Sequence, residues 1–140
     1  MSIEFPLAKK QTPFGRISDP KIPVGVRTLA GYRTFRFLID TGADMSLAPR
    51  RLAQQVGLDW GALPEVHVIG VEQAGVVARL GHLPIRIGDV ELSARCLFMD
   101  TTKTPFILGR ADFLDHFVLT IDHGLQRIIL ARIPSAGTGG

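Results

Sequence analysis

Residues 37–44 read Phe-Leu-Ile-Asp-Thr-Gly-Ala-Asp, and they predict a buried strand that ends in a carboxylate and a tight loop. A short apolar run of this kind is consistent with a strand in a protein core. Asp40 follows the run directly, where a carboxylate is costly to desolvate unless it is hydrogen-bonded or paired. Gly42 allows the backbone to turn sharply and lets a second chain approach closely. An isolated Asp-Thr-Gly triplet says little, so its meaning depends on the rest of the chain.

The sequence on both sides of this loop predicts a mostly β domain with one or two short helices. Before the loop, residues 24–29 and 32–39 predict two strands joined by a tight turn at Ala30-Gly31. After it, a helix is predicted from about Pro49 to Gly57, since proline favours a helix start and glycine a helix end. Hairpins are predicted over 66–80, 83–92 and 117–133, apolar strands over 95–99 and 105–108, and a helical turn or two over 112–116. This succession is typical of a β-sandwich or a small barrel.

Composition limits the classes of protein to consider. With 140 residues, 46% of them hydrophobic and 21% charged, the chain has the size and core content of one globular domain. The net charge of +3 is too small to imply a nucleic-acid partner. Residues 1–36 hold seven basic and two acidic residues, a net charge of +5, without the interleaved aromatic residues of a nucleic-acid site. We therefore expect a solvated basic arm, with a dimer interface, a removable pro-segment or a nucleic-acid scaffold as alternatives.

Several kinds of site are disfavoured by the sequence. Cys96 is the one cysteine, which excludes an intrachain disulfide and a zinc site with several cysteines. The four histidines lack paired metal-ligand spacing, and no serine lies in a nucleophile-elbow sequence. No apolar run reaches the roughly 18 residues of a membrane helix, and the first ten residues lack the apolar stretch of a secretory signal. We expect no metal, no organic cofactor, no membrane segment and a cytoplasmic location.

A second motif lies far downstream, at residues 106–110, Phe-Ile-Leu-Gly-Arg. Together with Asp-Thr-Gly-Ala-Asp at 40–44, this motif resembles the retropepsins, the single-lobe aspartic proteases of retroviruses. The chain is also similar to bacterial Asp-Thr-Gly-Ala proteins and to the eukaryotic DNA-damage-inducible retropepsin-like domains. The resemblance covers about residues 22–133, and the order of hairpin, loop, helix, flap hairpin and apolar-apolar-Gly motif also agrees. It implies a single-lobe acid-protease fold, a β-barrel or sandwich, that is active as a symmetric homodimer.

The resemblance implies that Asp40 is the catalytic carboxylate. The sequence holds no second Asp-Thr-Gly or Asp-Ser-Gly, so the active form would be a homodimer with one Asp40 from each chain. Two carboxylates so close together would share one proton; the ionised one would activate a water and the protonated one would donate to the scissile carbonyl. Thr41 would bond to the opposing loop beneath this pair, and Gly42 would offer backbone groups to the bound peptide.

Three more residues complete the site that the resemblance implies. Ala43 stands where pepsin-like enzymes often have a hydroxyl that hydrogen-bonds the ionised carboxylate, so we expect a pH optimum less acidic than that of pepsin. Asp44 would bind the main chain of the substrate. Arg110 would hold Asp44 with a bidentate fork. A purely structural ion pair is the alternative for these two residues, and both roles are compatible.

A flap and subsite walls are also predicted. The flap would close over the substrate and exclude water, and it comprises Gly70, Val71, Glu72, Gln73, Ala74 and Gly75. Its centre lacks the glycine-rich tip of retroviral flaps, and an ordinary exposed hairpin is the alternative. The apolar candidates for the subsite walls are Leu47, Val68, Ile69 and Ile107.

The chain is thus predicted to consist of a basic N-terminal arm (1–21), a retropepsin-like domain (22–133) and a C-terminal tail (134–140). The predicted function is an aspartic endopeptidase that acts on peptide or protein substrates as a homodimer. The alternative is a retropepsin-like dimer that binds extended peptides by strand addition and cuts little. The intact Asp-Thr-Gly favours the enzyme, because a pure binding module has no reason to desolvate two like charges.

Overall fold

The computed structural model describes residues 2–68 and 76–134. This part of the chain forms one α-helix, α1 (Arg50–Val56), and twelve strands: β1 (Ser2–Pro6), β2 (Ala8–Thr12), β3 (Gly15–Asp19), β4 (Lys21–Thr28), β5 (Gly31–Ile39), β6 (Ser46–Pro49), β7 (Glu65–Val68), β8 (Val76–Ile87), β9 (Val90–Met99), β10 (Ile107–Leu108), β11 (Phe117–Asp122) and β12 (Arg127–Arg132). Single 3-10 turns lie at Trp60–Ala62 and Leu114–His116. The predicted mostly β architecture with short helices is confirmed.

Of the described strands, six close into a barrel in the order β4, β5, β10, β6, β9 and β8. The barrel closes where β8 pairs with β4, at Gly25 opposite Arg86 and Val26 opposite Ile85. β7 pairs with the first residues of β8, on the edge opposite β9. Closure gives each of these strands a partner on both sides over part of its length, which reduces the edge open to unwanted pairing.

The barrel forms because its strands alternate between apolar and polar residues. In β4, Ile22, Val24 and Val26 are fully buried while their neighbours face outward, which is the period of two expected of a half-buried strand. Phe37 of β5, Phe98 of β9 and Phe113 are the largest fully buried side chains in the core they share. Cys96, predicted as a buried small apolar residue, has no exposed surface, and burial raises the pKa of its thiol.

The helix α1 lies where the sequence predicts it. Gly57 ends it in the left-handed conformation, with φ of 90°, and its N–H donates to the carbonyls of Ala53 and Gln54. Only glycine adopts that backbone conformation without strain. Leu52 and Ala53 are buried against the barrel, so the helix covers one of its sides.

The N-terminal segment contains three strands that the sequence pattern did not indicate. β1 pairs antiparallel with β12, which also pairs with β11, and β2 pairs with β3 in a separate hairpin. The partner of β1 lies at the other end of the chain, so no local periodicity marks the strand. The division at residue 21 and the separate tail stay predictions; residues 135–140 lie outside the described part.

Two predicted hairpins share one long strand. β8 pairs first with β7 and then along its whole later length with β9, which begins after the turn at Gly88-Asp89. The predicted strands at 76–80 and 83–87 are therefore one continuous element. Pro84 is accommodated within it, opposite Ser93.

Candidate active site

The short strand β10 brings the two sequence motifs together. It lies between β5 and β6, which are consecutive in the sequence, and runs parallel to β5 and antiparallel to β6. The loop from β5 to β6 carries the Asp-Thr-Gly motif and must therefore pass the end of β10. The N–H of Asp40 donates to the carbonyl of Leu108 at 3.0 Å. The end of β10 thus holds the loop that follows β5.

Gly109 fills a place where only glycine fits. A Cβ at this position would lie 2.5 Å from both the backbone carbon and oxygen of Met45, and 2.9 Å from the carbonyl oxygen of Ala43. The N–H of Gly109 donates to the hydroxyl of Ser46 at 3.1 Å, in a fully buried contact. Sequence reasoning missed Ser46; the available signal was a hydroxyl at the start of a short apolar strand, where burial requires a hydrogen-bond partner.

The Asp40 side chain stands at the end of its strand, half-buried. Its Oδ1 accepts a hydrogen bond of 2.9 Å from the N–H of Gly42, and its carbonyl accepts one of 3.2 Å from the N–H of Ala43. The loop backbone thus folds back around the carboxylate and fixes its orientation. A Cβ on Gly42 would lie 3.3 Å from this Oδ1, so a side chain there would press on the carboxylate.

Arg110 ties the loop to the second motif. Its guanidinium donates through Nη1 to the carbonyl of Thr41 at 2.8 Å and through Nη2 to Oδ1 of Asp44. Its backbone N–H donates to the carbonyl of Ala43 at 2.9 Å. The predicted pairing with Asp44 is present, but the predicted bidentate fork is wrong, because Nη2 bonds one oxygen of Asp44 while Nη1 is directed at the Thr41 carbonyl. The guanidinium therefore braces the loop backbone as well as one carboxylate oxygen.

Asp44 remains open to solvent despite this contact, with 85% of its side chain exposed. An exposed ion pair contributes little to stability because water screens it. The arrangement instead fixes the direction of a carboxylate that faces outward at the edge of the loop.

A cavity of about 460 Å³ opens beside the loop. Its lining comes from the loop and the start of β6, from β7, and from Leu97 and Ile107. Three of the four subsite candidates line it, namely Leu47, Val68 and Ile107. Val66 and His67 also line it and were not singled out from the sequence. The space is mainly apolar, and Gly42, Ala43 and Asp44 of the loop are part of its lining.

The predicted flap, Gly70, Val71, Glu72, Gln73, Ala74 and Gly75, lies outside the described residues, as does the subsite candidate Ile69. The strands that flank this segment do pair as a hairpin, with Val68 opposite Val76. β7 therefore forms one wall of the cavity and leads directly into the segment.

A second ion pair stabilises the turn that follows Arg110. Asp112 accepts three hydrogen bonds from Arg95, from Nε at 2.7 Å, from Nη2 at 3.2 Å and from the backbone N–H at 3.0 Å. Asp112 has φ of 62°, a left-handed conformation that aspartate and asparagine tolerate better than most residues. No local sequence signal points to this pair, because its members lie on separate elements.

The hydrogen bonds and charge of Arg95 hold the pKa of Asp112 below its ordinary value. The ionised form therefore stabilises the folded state above the unfolded pKa, and this contribution is lost as the pH falls through the lower pKa of the folded state.

We expect Asp112→Asn to lower the free energy of unfolding by about 1 kcal/mol or less at pH 7, since the pair is partly exposed. The difference from wild type should vanish in acid. Urea unfolding at pH 7 and pH 2.5 measures both values. Asp115→Asn, in the neighbouring 3-10 turn, is the control; an equal loss at both pH values would contradict the assignment.

Other features of the described residues bear on cofactors and membranes. Within residues 2–68 and 76–134, no group of three or more His, Cys, Asp or Glu side chains is arranged to hold a metal ion. The same part of the chain contains no helix with the length and apolar character needed to cross a membrane.

Comparisons with known proteins agree with this geometry. Residues 24–111 match the family described as aspartyl protease. A retropepsin-like aspartic protease from Rickettsia conorii superposes with a TM-score of 0.61 at 18% identity, over 93% of this chain and 91% of that one. The retroviral protease-like domain of Ddi1 from Leishmania major gives 0.59 at 14% identity, over 86% and 98%. A search of curated proteins found no match. The predicted retropepsin-like resemblance and single-lobe fold are confirmed.

Proposed function

The chain belongs to the aspartyl protease family, and from this premise we propose that it is an aspartic endopeptidase that works as a symmetric homodimer. One observation carries the proposal: each chain offers the carboxylate of Asp40, oriented by the N–H of Gly42, and Gly42 in turn lines an apolar cavity. Peptide hydrolysis of this type uses two carboxylates, so two copies would have to supply one Asp40 each. The partner proposed is thus a second copy of this chain.

In the proposed reaction, the ionised Asp40 accepts a proton from a water molecule while the water oxygen attacks the scissile carbonyl carbon. The partner's Asp40 carries the shared proton and donates it to the carbonyl oxygen, which gives a neutral tetrahedral diol. Collapse of the diol re-forms a carbonyl, breaks the C–N bond and transfers a proton to the leaving nitrogen. No covalent bond to the enzyme forms, and the chemistry needs no metal or organic cofactor.

The residues around Asp40 have proposed roles in binding. Thr41 supplies its carbonyl to Arg110, which stiffens the loop beneath the pair of carboxylates. Gly42 and Ala43 line the cavity beside the substrate main chain. The exposed carboxylate of Asp44, directed by Arg110, accepts hydrogen bonds from main-chain N–H groups of the peptide. These roles support an extended peptide as substrate.

The apolar walls suggest which peptides bind. Leu47, Val68 and Ile107 would receive apolar side chains on either side of the cut, while residues 70–75 would close over them as the flap. The binding-module alternative uses the same groove without hydrolysis. The cytoplasmic location expected from the sequence stays a prediction.

A library of peptides incubated with the wild-type protein between about pH 3 and pH 7 tests the proposal, since this range brackets carboxylate titration. The reaction is run in water enriched in oxygen-18 and analysed by mass spectrometry. We expect new peptide ends with one heavy oxygen in each new carboxylate, and apolar residues next to the cut. A stable dimer that binds peptides but yields no labelled product would favour the binding module.

A further inference from the structure

The hairpin of β2 and β3 stands apart from the rest of the fold. Within the described residues these two strands pair only with each other, from Ala8 opposite Asp19 to Thr12 opposite Gly15. The Thr12 hydroxyl closes the turn by donating to the carbonyl of Gly15 at 2.7 Å and accepting from the N–H of Phe14 at 3.1 Å. An isolated two-stranded hairpin is marginal in water and gains stability by packing against another surface.

The tip of this hairpin carries apolar surface that residues 2–68 and 76–134 leave exposed. Phe14, in the turn, is 94% exposed, and Ile17 on β3 is 46% exposed. A phenylalanine can bury 150 Å² or more, and aromatic side chains of this kind anchor protein interfaces. A single exposed apolar residue is ordinary, but here it lies at the end of a ribbon whose strands pair with no other strand that the structure describes.

The base of the hairpin is fixed next to the catalytic loop. Only Pro20 separates β3 from β4, and its carbonyl accepts a hydrogen bond of 2.9 Å from the N–H of Ile39, the residue before Asp40. The other end is held as well, since Leu7 is buried and its N–H donates to the carbonyl of Gln126 at 2.9 Å. The hairpin therefore leaves the barrel from a defined place beside Asp40.

The strand register gives the direction in which the hairpin projects. β4 starts with Lys21 opposite Leu38, at the Asp40 end of β5, and runs away from that end until Thr28 lies opposite Gly31. The residue before a proline prefers an extended backbone, so the chain that precedes β4 continues past the Asp40 end of the barrel. Strands of five residues span about 17 Å, so the hairpin is long enough to carry Phe14 beyond the loop.

We propose that the hairpin Ala8–Asp19 is a dimerisation arm that packs Phe14 and Ile17 on a second copy of this chain. The inference rests on the proposed function in one respect: if the two copies of Asp40 share one site, the two-fold axis passes beside that loop. The partner then lies past the same end of the barrel from which the hairpin projects. The arm thus joins the catalytic loop to the other subunit, and packing of its tip stabilises the dimer that the reaction needs.

The charge of the arm agrees with this arrangement. Lys9, Lys10 and Arg16 lie along its stem, so the two arms of a dimer repel each other. Each arm is therefore directed onto the body of the partner and away from its symmetry-related copy.

Sedimentation over a dilution series tests the proposal. It measures the dimer dissociation constant of the wild type, of Phe14→Ser and of Leu29→Ser. Leu29 is 81% exposed in the turn between β4 and β5, at the barrel end opposite Asp40, and is the matched control. We expect Phe14→Ser to raise the dissociation constant about 30-fold or more, and Leu29→Ser to change it less than about threefold. Since Phe14 is exposed, the monomer of the variant should keep the wild-type fold by circular dichroism.

A second measurement locates the tip. Phe14 is replaced by p-benzoyl-phenylalanine in a mixture of nitrogen-14 and nitrogen-15 labelled chains, which is then irradiated. We expect cross-linked peptide pairs of mixed isotope. A stable dimer that gives only same-chain cross-links and does not respond to Phe14→Ser would overturn the arm and leave the protease untouched. Inter-chain cross-links without peptide cleavage would support the arm and overturn the protease. A wild type that stays monomeric at every concentration would overturn both the arm and the shared site.

Discussion

Asp40→Asn should abolish peptide cleavage, with kcat at least about 1,000-fold below wild type, while the fold and the dimer persist. One substitution removes both catalytic carboxylates of the dimer, and with them the general base and the general acid, each of which commonly contributes 10²–10⁴-fold. Asparagine has nearly the same shape and still offers an oxygen to the N–H of Gly42, so the loop keeps its hydrogen bond. Steady-state cleavage of the best library peptide measures the effect.

Asp89→Asn is the matched control for this variant, because Asp89 lies exposed in the turn between β8 and β9 and does not line the cavity. Its kcat should equal that of wild type. Cleavage by Asp40→Asn at more than a tenth of the wild-type rate, from a protein free of contaminating protease, would remove Asp40 from the mechanism.

Gly109→Ala should lower the free energy of unfolding by about 3 kcal/mol or more, the largest effect expected of a methyl group added to any glycine that the structure describes. The added Cβ would meet backbone atoms of Met45 at 2.5 Å, and backbone cannot move aside as a flexible side chain can. Any relaxation must shift β10 away from the Asp40 loop, so cleavage should fall together with stability. Urea denaturation gives the free energy.

Gly61→Ala provides the comparison, since its Cβ would have only an ordinary contact of 3.8 Å with Asp59. We expect it to change the free energy of unfolding by less than about 0.5 kcal/mol, as for most surface substitutions. If both glycine variants were equally stable, the close approach of the two motifs described here would be wrong.

The elements that the sequence predicts correctly are those with local signals. The end of α1 is marked by Gly57, the hairpin turns by glycine and aspartate, and β4 by its alternating apolar residues. The two halves of the candidate site could be found because each follows an apolar run and ends in glycine, and because their order resembles a known family. What brings them together, the insertion of β10 between β5 and β6, is a long-range pairing with no local pattern.

The features that could not be predicted depend on backbone groups or on distant partners. The guanidinium of Arg110 contacts the backbone carbonyl of Thr41 as well as Asp44. Every residue carries a backbone carbonyl, so the sequence cannot indicate which one lies within reach of the arginine. The pairing of Arg95 with Asp112 depends on a turn that places an aspartate opposite β9. The strand β1 could not be predicted from its own sequence pattern, because its partner β12 lies far along the sequence.

The central claim is that two chains build one catalytic centre, and mixing wild type with Asp40→Asn tests it most directly. The two proteins are mixed at a series of ratios, with the total protein concentration held constant. Each mixture is unfolded, refolded and assayed for peptide cleavage. If the site needs an Asp40 from each chain, activity follows the square of the wild-type fraction, so an equal mixture retains about one quarter. If each chain carried its own complete site, activity would fall linearly and an equal mixture would retain about one half, which would contradict the account.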